Sequence, residues 1–407
     1  MAPASARSTP AIERCAGDPA AFVRDHWAKA PLLRRGAGPG GFDDLLSLDD
    51  VDRILSTTSP RVPLFRMVKD GKPLPPSAYT KSGRIGSQPL SDLADPGRIF
   101  ELFAGGATIV LQGLQRYWAP LSGFCRDLEL FLTHPVQVNA YLTPPASRGL
   151  GVHHDTHDVF VLQVHGRKLW QVWDAAVPFP LGHQTKLPPG AEAPTEPPLV
   201  GAELAPGDCL YVPRGFRHAA RTAETASLHL TVGMLTYNWN DLLREVLELA
   251  TEETWFREGL PIGFAEDPQA LTASLAERVA ELRRFLDKVD LSRVADRAAN
   301  RFWTNRAPLL DGQLRQLLAL DELDDATEVR RRPGATCRLR VGGDRLELVL
   351  GDRTLTMPAS LEPAVRRLLD ADRCTPAALA GQLDPASRLV LVRRLVREGL
   401  LQPTAVG

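Results

Sequence analysis

His153 and Asp155 stand one residue apart in the run VNAYLTPPASRGLGVHHDTHDVFVLQVHGRKLWQVW, from Val138 to Trp173. In an extended chain residues i and i+2 project from the same face, so this pair offers an imidazole and a carboxylate to one point. A second imidazole would complete a two-histidine, one-carboxylate facial set, which leaves coordination positions open and suits Fe(II). The spacing alone is weak evidence, because a single histidine is more often a hydrogen-bonded structural residue. The later stretch PGDCLYVPRGFRHAARTAETASLHLTVG supplies the context. Pro206-Gly207-Asp208 makes a turn, Cys209–Val212 a strand, Pro213–Gly215 a second turn, and His218 opens the returning strand. Turn, strand, turn and histidine is how a double-stranded β-helix presents a distal ligand to its opposite sheet. His153, Asp155 and His218 are therefore the expected metal ligands and the expected catalytic centre.

The elements around them read as short strands. Thr108–Leu111, Gln137–Leu142, Val159–Val164, Leu169–Trp173, Asp208–Val212 and Ser227–Leu235 are β-branched or aromatic, with Gly and Pro turns between them. Such spacing predicts a barrel or jelly roll. Leu187–Pro198, rich in Pro and Glu, reads as a surface loop between strands. Before the barrel, the expected elements are a helix over Pro19–Lys29, a strand from Leu32, and two short helices within Phe42–Ser56. A strand over Arg61–Lys69 and a helix over Leu90–Phe103 follow. After it the period becomes helical. Leu242, Leu243, Val246, Leu249 and Ala250 form one stripe, and Leu271, Leu275, Val279, Leu282 and Leu286 form another behind Asp267-Pro268. From about Asp321 a Gly342-Gly343 hairpin, a third strand at Leu355 and helices over Glu362–Leu369, Pro376–Gln382 and Ser387–Glu398 read as a small winged-helix module.

Length and composition are compatible with this and narrow the function. The 407 residues suffice for two or three domains, and the formal net charge of −1 argues against a general nucleic-acid or membrane-surface binder. The five cysteines are scattered and never form Cys-x-x-Cys, which disfavours a disulfide framework or a zinc-thiolate site. No run approaches membrane-spanning length and no signal-peptide core opens the chain, so a cytoplasmic protein is expected. Residues 1–11 are small and polar and are expected to be disordered.

GLGVHHDTHDVFVLQVHGRKLWQVW followed by GDCLYVPRGFRHAA and SLHLT resembles the JmjC/cupin-type 2-oxoglutarate oxygenases, in their ribosomal oxygenase branch. FVRDHWAKAPLLRR, KDGKPLPPSAYT and the terminal module resemble that branch too, so the similarity covers nearly the whole chain. The fold it implies is mainly β with α: a double-stranded β-helix (jelly roll or cupin) core, a helical dimerisation region and a C-terminal winged helix. The corresponding division is an N-terminal segment over 1–106, a catalytic core over 107–238, a helical region over 239–320 and a winged-helix-like domain over 321–407. The resemblance implies Fe(II) as metal and 2-oxoglutarate as cosubstrate. Lys168 matches the family's basic residue for the cosubstrate carboxylate, and burying that carboxylate unpaired would be costly. Arg167 is the chemical rival but faces the other side of a strand. Asn139 and Tyr141 match further cosubstrate positions, and Ser227 matches more weakly.

The activity implied is hydroxylation of a protein side chain, most specifically of a ribosomal protein, by a homodimer; no membrane partner is expected, and the near-neutral charge disfavours nucleic acid without excluding a local basic patch. A peptide or small-molecule intermediate as substrate is the first alternative. A non-catalytic, metal-binding cupin regulator acting through its winged helix is the alternative of another class, with Arg330, Arg331, Arg332, Arg338, Arg393 and Arg394 as its basic residues. Among the other histidines, His154 is expected outside the ligand set, exposed or behind it. His157 could line the pocket mouth, and His229 reads as structural.

Overall fold

A computed structural model describes residues 10–36, 41–145, 147, 151–222 and 224–404. Residues 1–9 of the tail expected to be disordered, and Gly149-Leu150 of the first motif, lie outside the described residues. The chain divides into two compact units, Met1–Thr236 and Tyr237–Gly407.

The first unit is a sandwich of antiparallel sheets. Its strands are β1 (Leu32–Arg34), β2 (Phe65–Lys69), β3 (Lys72–Pro73), β4 (Thr80–Ile85), β5 (Gln88–Ala94), β6 (Thr108–Leu111), β7 (Val136–Thr143), β8 (Asp158–His165), β9 (Lys168–Ala175), β10 (Val200–Leu204), β11 (Cys209–Val212), β12 (Phe216–Thr222) and β13 (Ser227–Met234). The larger sheet runs β1-β11-β8-β13-β7-β6-β2-β3, the smaller one β10-β9-β12, and β4 pairs with β5. The expected jelly-roll core is thus present. Three strands from the N-terminal segment, β1, β2 and β3, belong to its larger sheet.

Strand β8 shows why the central sequence is so apolar. Phe160, Leu162 and Val164 pack outward into a core with Phe22, Leu121 and Tyr211, while Val159 and Val161 face the smaller sheet with Trp170 and Val172. A strand buried on both faces loses its polar alternation and reads as one continuous hydrophobic run.

Local signals explain where the elements differ from expectation. The helix expected over Leu90–Phe103 begins only at Pro96, and its first part is strand β5. Asp95 before Pro96 is biased away from helical backbone, and its carboxylate caps the helix by accepting from the Arg98 N–H. Phe42–Ser56 holds one helix rather than two, Leu48–Thr57, started by a reciprocal Ser47–Asp50 capping box. Pro19–Lys29 is helical only to His26, in two short pieces. The strands β4 and β10 and the helices Ala119–Leu132 and Leu291–Thr304 add to the expected set, and the returning strand expected from His218 begins at Phe216 as β12.

In the second unit, helix Trp239–Ala250 opens on an Asn238–Asp241 capping box and buries Val246 and Leu249 against Val294 of Leu291–Thr304. The stripe on helix Pro268–Leu286 is not buried: Leu275, Val279 and Leu286 are exposed. A three-stranded sheet follows, β15-β16-β17 (Cys337–Gly342, Arg345–Leu350, Thr354–Pro358), together with the pair β14 (Val329–Arg331) and β18 (Leu401–Pro403). Helices Glu362–Asp370 and Pro385–Arg397 share its core, while the helix expected at Pro376–Gln382 is reduced to a single turn, Pro376–Leu379. Among the described residues no helix is long and apolar enough to cross a membrane.

The turn that delivers His218 is tightly packed. Gly215 has φ +85°, and a Cβ there would lie 2.1 Å from the Val177 carbonyl oxygen. Gly215→Ala is therefore expected to cost about 2–3 kcal/mol or more, from strained backbone and overpacking together. The check is a clearly lower denaturation midpoint than wild type, with weaker metal binding in the folded fraction.

Candidate metal centre and its cavity

His153 and His218 are tied to each other before any metal is considered. Each backbone N–H donates to the other's carbonyl, at 3.1 and 2.8 Å, forming one isolated antiparallel bridge between the two motifs. Gly215 N–H donates to the Asp155 carbonyl at 2.9 Å, so the segment holding both first ligands is clipped to the turn before the third. Only His153 of that segment is paired as a strand residue, and Asp155 lies in extended but irregular chain ahead of β8.

The side chains converge. One ligand atom from each of His153, Asp155 and His218 lies within 4.8 Å of the others, and His218 Nε2 is 3.6 Å from Asp155 Oδ2. His153 Nδ1 is 2.8 Å from the Gly151 carbonyl oxygen and His218 Nδ1 is 3.1 Å from that of Phe216. A carbonyl can only accept, so each Nδ1 carries the proton and each Nε2 keeps its lone pair. Fixing the tautomer through the remote nitrogen is how a ligating histidine is held ready. Burial, and then the neighbouring His153, push the His218 pKa down to about 4, so its imidazole is neutral near pH 7. Burial opposes ionisation of Asp155, but the surrounding imidazoles, His218 foremost, outweigh it and hold the carboxyl below its ordinary range. Two imidazole nitrogens and one carboxylate fit a divalent ion of the Fe(II) type.

The cavity behind this centre measures about 210 Å³. Lys168 and Trp170 line it from β9, His218 and Ala220 from β12, and Tyr141 and Thr143 from β7. Lys168 is 3% exposed, and its Nζ has only a long 3.4 Å contact to Thr143 Oγ1. Burial lowers its pKa to about 8. His229 also lines the cavity, stacked on Tyr141 with ring centroids 5.1 Å apart. Burial, and then the Lys168 charge, keep that histidine well below its ordinary pKa and so neutral.

Three buried polar atoms on lining residues have no hydrogen-bond partner: Arg66 Nε, Trp170 Nε1 and His229 Nδ1. Two of these are obligatory donors. A cavity with spare donors and a buried ammonium fits an acceptor-rich anion such as a dicarboxylate.

The remaining candidates fall around this space. Asn139 shares the Tyr141 face of β7 but is outside the lining, and its Oδ1 accepts from Gly113 N–H at 3.1 Å. Ser227 is fully buried and its Oγ accepts from Gln163 Nε2 at 2.9 Å, also outside the lining. Arg167 faces outward and pairs with Glu203. His154 is buried rather than exposed, its Nε2 donating to the Gln184 carbonyl at 2.8 Å, which pins the 176–199 loop beside the ligands. Trp173 Nε1, bonded to the Glu196 carbonyl, and an Arg217–Glu196 ion pair hold the same loop. His157 packs over Gly233 instead of lining the cavity: a Cβ on that glycine would meet its ring at 2.5 Å.

Sequence reasoning did not single out Arg66 or Thr143 and read His229 as structural only. The alternation of FRMVK held a clue: Phe65 and Met67 are core, so Arg66 and Val68 must face the other way.

Comparison with known proteins agrees with this geometry. Residues 118–242 match the model of the JmjC domain. The chain contains a JmjC domain. Ribosomal oxygenase 1 of Gallus gallus is 29% identical over 300 residues, 70% of this chain and 48% of that one. Ribosomal oxygenase 1 of Homo sapiens is 32% identical over 252 residues, 60% of this chain and 38% of that one. In Aedes aegypti the bifunctional lysine-specific demethylase and histidyl-hydroxylase NO66 is 26% identical over 336 residues, 79% of this chain and 51% of that one. The chain thus spans about half or less of the length of these relatives. The solved structure of YcfD, a ribosomal oxygenase from Escherichia coli, in complex with cobalt and succinic acid, superposes with a TM-score of 0.53 at 18% identity. It covers 94% of this chain and 97% of the other, and places the fold in the JmjC/cupin class.

Two outcomes follow for this centre. His153→Ala and His218→Ala should each weaken Mn(II) binding by about tenfold or more in anaerobic titration, since each removes one of three donors. Wild-type affinity in either variant would remove that residue from the site. For anion binding the sign is set by Lys168, which must be protonated. The Kd of a dicarboxylate such as succinate should be nearly flat while the pH stays well below 8 and should weaken by up to about tenfold per unit above it. Trp170, on the cavity wall, provides the fluorescence signal.

Proposed function

We propose that this chain is an Fe(II)- and 2-oxoglutarate-dependent oxygenase that hydroxylates a side chain of a polypeptide, and of a ribosomal protein in particular. The observation that carries the reading is the pairing of one facial His153–Asp155–His218 set with a buried, singly contacted Lys168 in the same cavity. When bound, Fe(II) with 2-oxoglutarate and dioxygen supplies insertion of oxygen into an unactivated C–H bond, with succinate and carbon dioxide as co-products.

The protein's own contribution is binding, orientation and exclusion of water. His153, Asp155 and His218 would hold the ion. Lys168 would take the distal carboxylate of the cosubstrate, with Thr143 and Tyr141 beside it. Asn139 and Ser227 act from behind the wall, Asn139 by fixing the Gly113 backbone and Ser227 by fixing Gln163. The apolar walls Val159, Val161, Val212 and Trp170 keep the cavity dry, which strengthens the Lys168–carboxylate attraction. Support for a ribosomal protein as substrate comes from ribosomal oxygenase 1 and YcfD, to which the chain is similar in sequence and in fold respectively.

The second unit extends the proposal. The exposed Leu275, Val279 and Leu286 on one helix, with Trp239 and Leu243 on another, form the kind of apolar surface that a second copy covers, so residues 239–320 are read as the dimerisation region. The three-stranded sheet with helices Glu362–Asp370 and Pro385–Arg397 supports reading residues 321–407 as a winged-helix-like domain.

The test compares intact masses of ribosomal proteins from cells with and without the gene. One ribosomal protein should be lighter by a single oxygen atom in its absence. Purified protein that never converts 2-oxoglutarate to succinate with iron and that substrate would overturn the reading.

A further inference from the structure

Arg66 shares the cavity with Lys168 but faces a different partner. It stands on β2, where its Cα is level with Val110 of β6, and Val110 is level with Tyr141 of β7. The next residue of this rung is His229 of β13, so one line of side chains crosses the floor of the larger sheet. All four line the cavity. The Tyr141 ring lies flat on that of His229, at an interplanar angle of 7°, which fixes its plane. From the smaller sheet Trp170 meets His229 edge-on, with ring centroids 5.5 Å apart, and closes the stack.

Burial raises the Tyr141 phenol pKa, and a hydrogen bond from the Arg66 side chain opposes that rise. A guanidinium has N–H donors and no acceptor, so in this bond the hydroxyl oxygen accepts. The phenol proton must then point elsewhere. Among the described residues no acceptor is bonded to it, and Tyr141 borders the cavity. Arg66 has no carboxylate of its own among the described residues, and its Nε is buried without a partner. Its charge therefore acts on the phenol without a counter-ion, and a cationic donor on the oxygen polarises the O–H into a stronger donor. Thr143 lies two residues along the same face of β7, and its Oγ1 is 3.4 Å from Lys168 Nζ. The aimed proton and the buried ammonium thus come from neighbouring positions of one wall.

We propose that Arg66 is a positioning residue for the cosubstrate, holding the Tyr141 hydroxyl so that it donates to a carboxylate oxygen of 2-oxoglutarate. This rests on the cosubstrate reading above. Lys168 supplies the charge that the anion needs, and Tyr141 supplies the direction. Arg66 acts through the phenol and has no contact of its own with the anion, so its contribution vanishes when the hydroxyl does.

The full chain is loaded with Mn(II) without oxygen, in wild type, Arg66→Met, Arg66→Lys, Tyr141→Phe and the double variant Arg66→Met/Tyr141→Phe. The Kd of 2-oxoglutarate is read from tryptophan fluorescence, and the Kd of Mn(II) is measured alongside it. Tyr141→Phe should weaken 2-oxoglutarate by about tenfold and Arg66→Met by about three- to tenfold. Arg66→Lys, which can still donate to the hydroxyl, should recover part of the loss. The double variant should bind within about twofold of Tyr141→Phe alone, and the Mn(II) Kd should stay within about twofold throughout. Should Arg66→Met not fold, Arg66→Lys with and without Tyr141→Phe makes the same comparison. An unchanged 2-oxoglutarate Kd in Arg66→Met overturns the assignment. Losses that multiply in the double variant also overturn it, because Arg66 then reaches the anion without Tyr141. A Mn(II) Kd that weakens in step shows general damage to the centre and overturns it too. Failure of wild type to bind Mn(II) or 2-oxoglutarate at all would instead sink the oxygenase reading beneath it.

Discussion

The bridge between His153 and His218 is the contact on which the centre depends. Two backbone hydrogen bonds join segments that lie far apart in sequence, and the ligand side chains ride on the joined residues themselves. No side-chain rotamer has to be found across a gap; each imidazole needs only its Nδ1 bond to a carbonyl two residues back. The bridge lies outside the regular ladders, so it is held by what flanks it. Gly215 clips the Asp155 carbonyl on one side, and β9 and β12 close the smaller sheet on the other. Strain in the Gly215 turn is thus spent on placing three ligands at once.

Electrostatics follows from the same burial. Removing His218 from water keeps its lone pair free, and removing Lys168 from water keeps its ammonium short of partners. Both states cost the empty protein free energy, and both are relieved by a guest of opposite character: a cation at the imidazoles, an anion at the ammonium. The site is built by leaving groups unsatisfied in a wall that is otherwise closely packed. That is also why Ser227 and Asn139, each already bonded to protein, stand outside the lining while Lys168, Tyr141 and His229 are inside it.

What could be read from the sequence was what is encoded within a few residues. The His-x-Asp spacing, the Pro-Gly-Asp and Pro-Arg-Gly turns and the β-branched runs each name their own geometry, so the metal set and the central strands were visible. Boundaries set by a single residue were misplaced where a run of apolar residues overrode them, as at Asp95-Pro96, where strand β5 gives way to a helix. Strand β10 was missed because GAE carries little β-branched character and becomes a strand by pairing with β9. For His154 the structure selects the buried one of the two expected places, and the sequence left this open for a related reason. Its partner is the Gln184 carbonyl of a loop whose path over the ligands no local pattern records.

Lys168 and Arg66 line the same cavity but differ in just this respect. Lys168 opens β9, the middle strand of the smaller sheet, close in sequence to the first two ligands and buried between the sheets, so altering it disturbs the cavity and the core together. Arg66 comes from a strand near the margin of the larger sheet, contributed by the N-terminal segment and paired beyond β6 only with the two-residue β3. Its neighbours Phe65 and Met67 secure the strand from the opposite face, leaving position 66 free to vary without loss of packing. The cation on which the cosubstrate reading depends is thereby held in the middle of the smaller sheet, and Arg66 near the edge of the larger one.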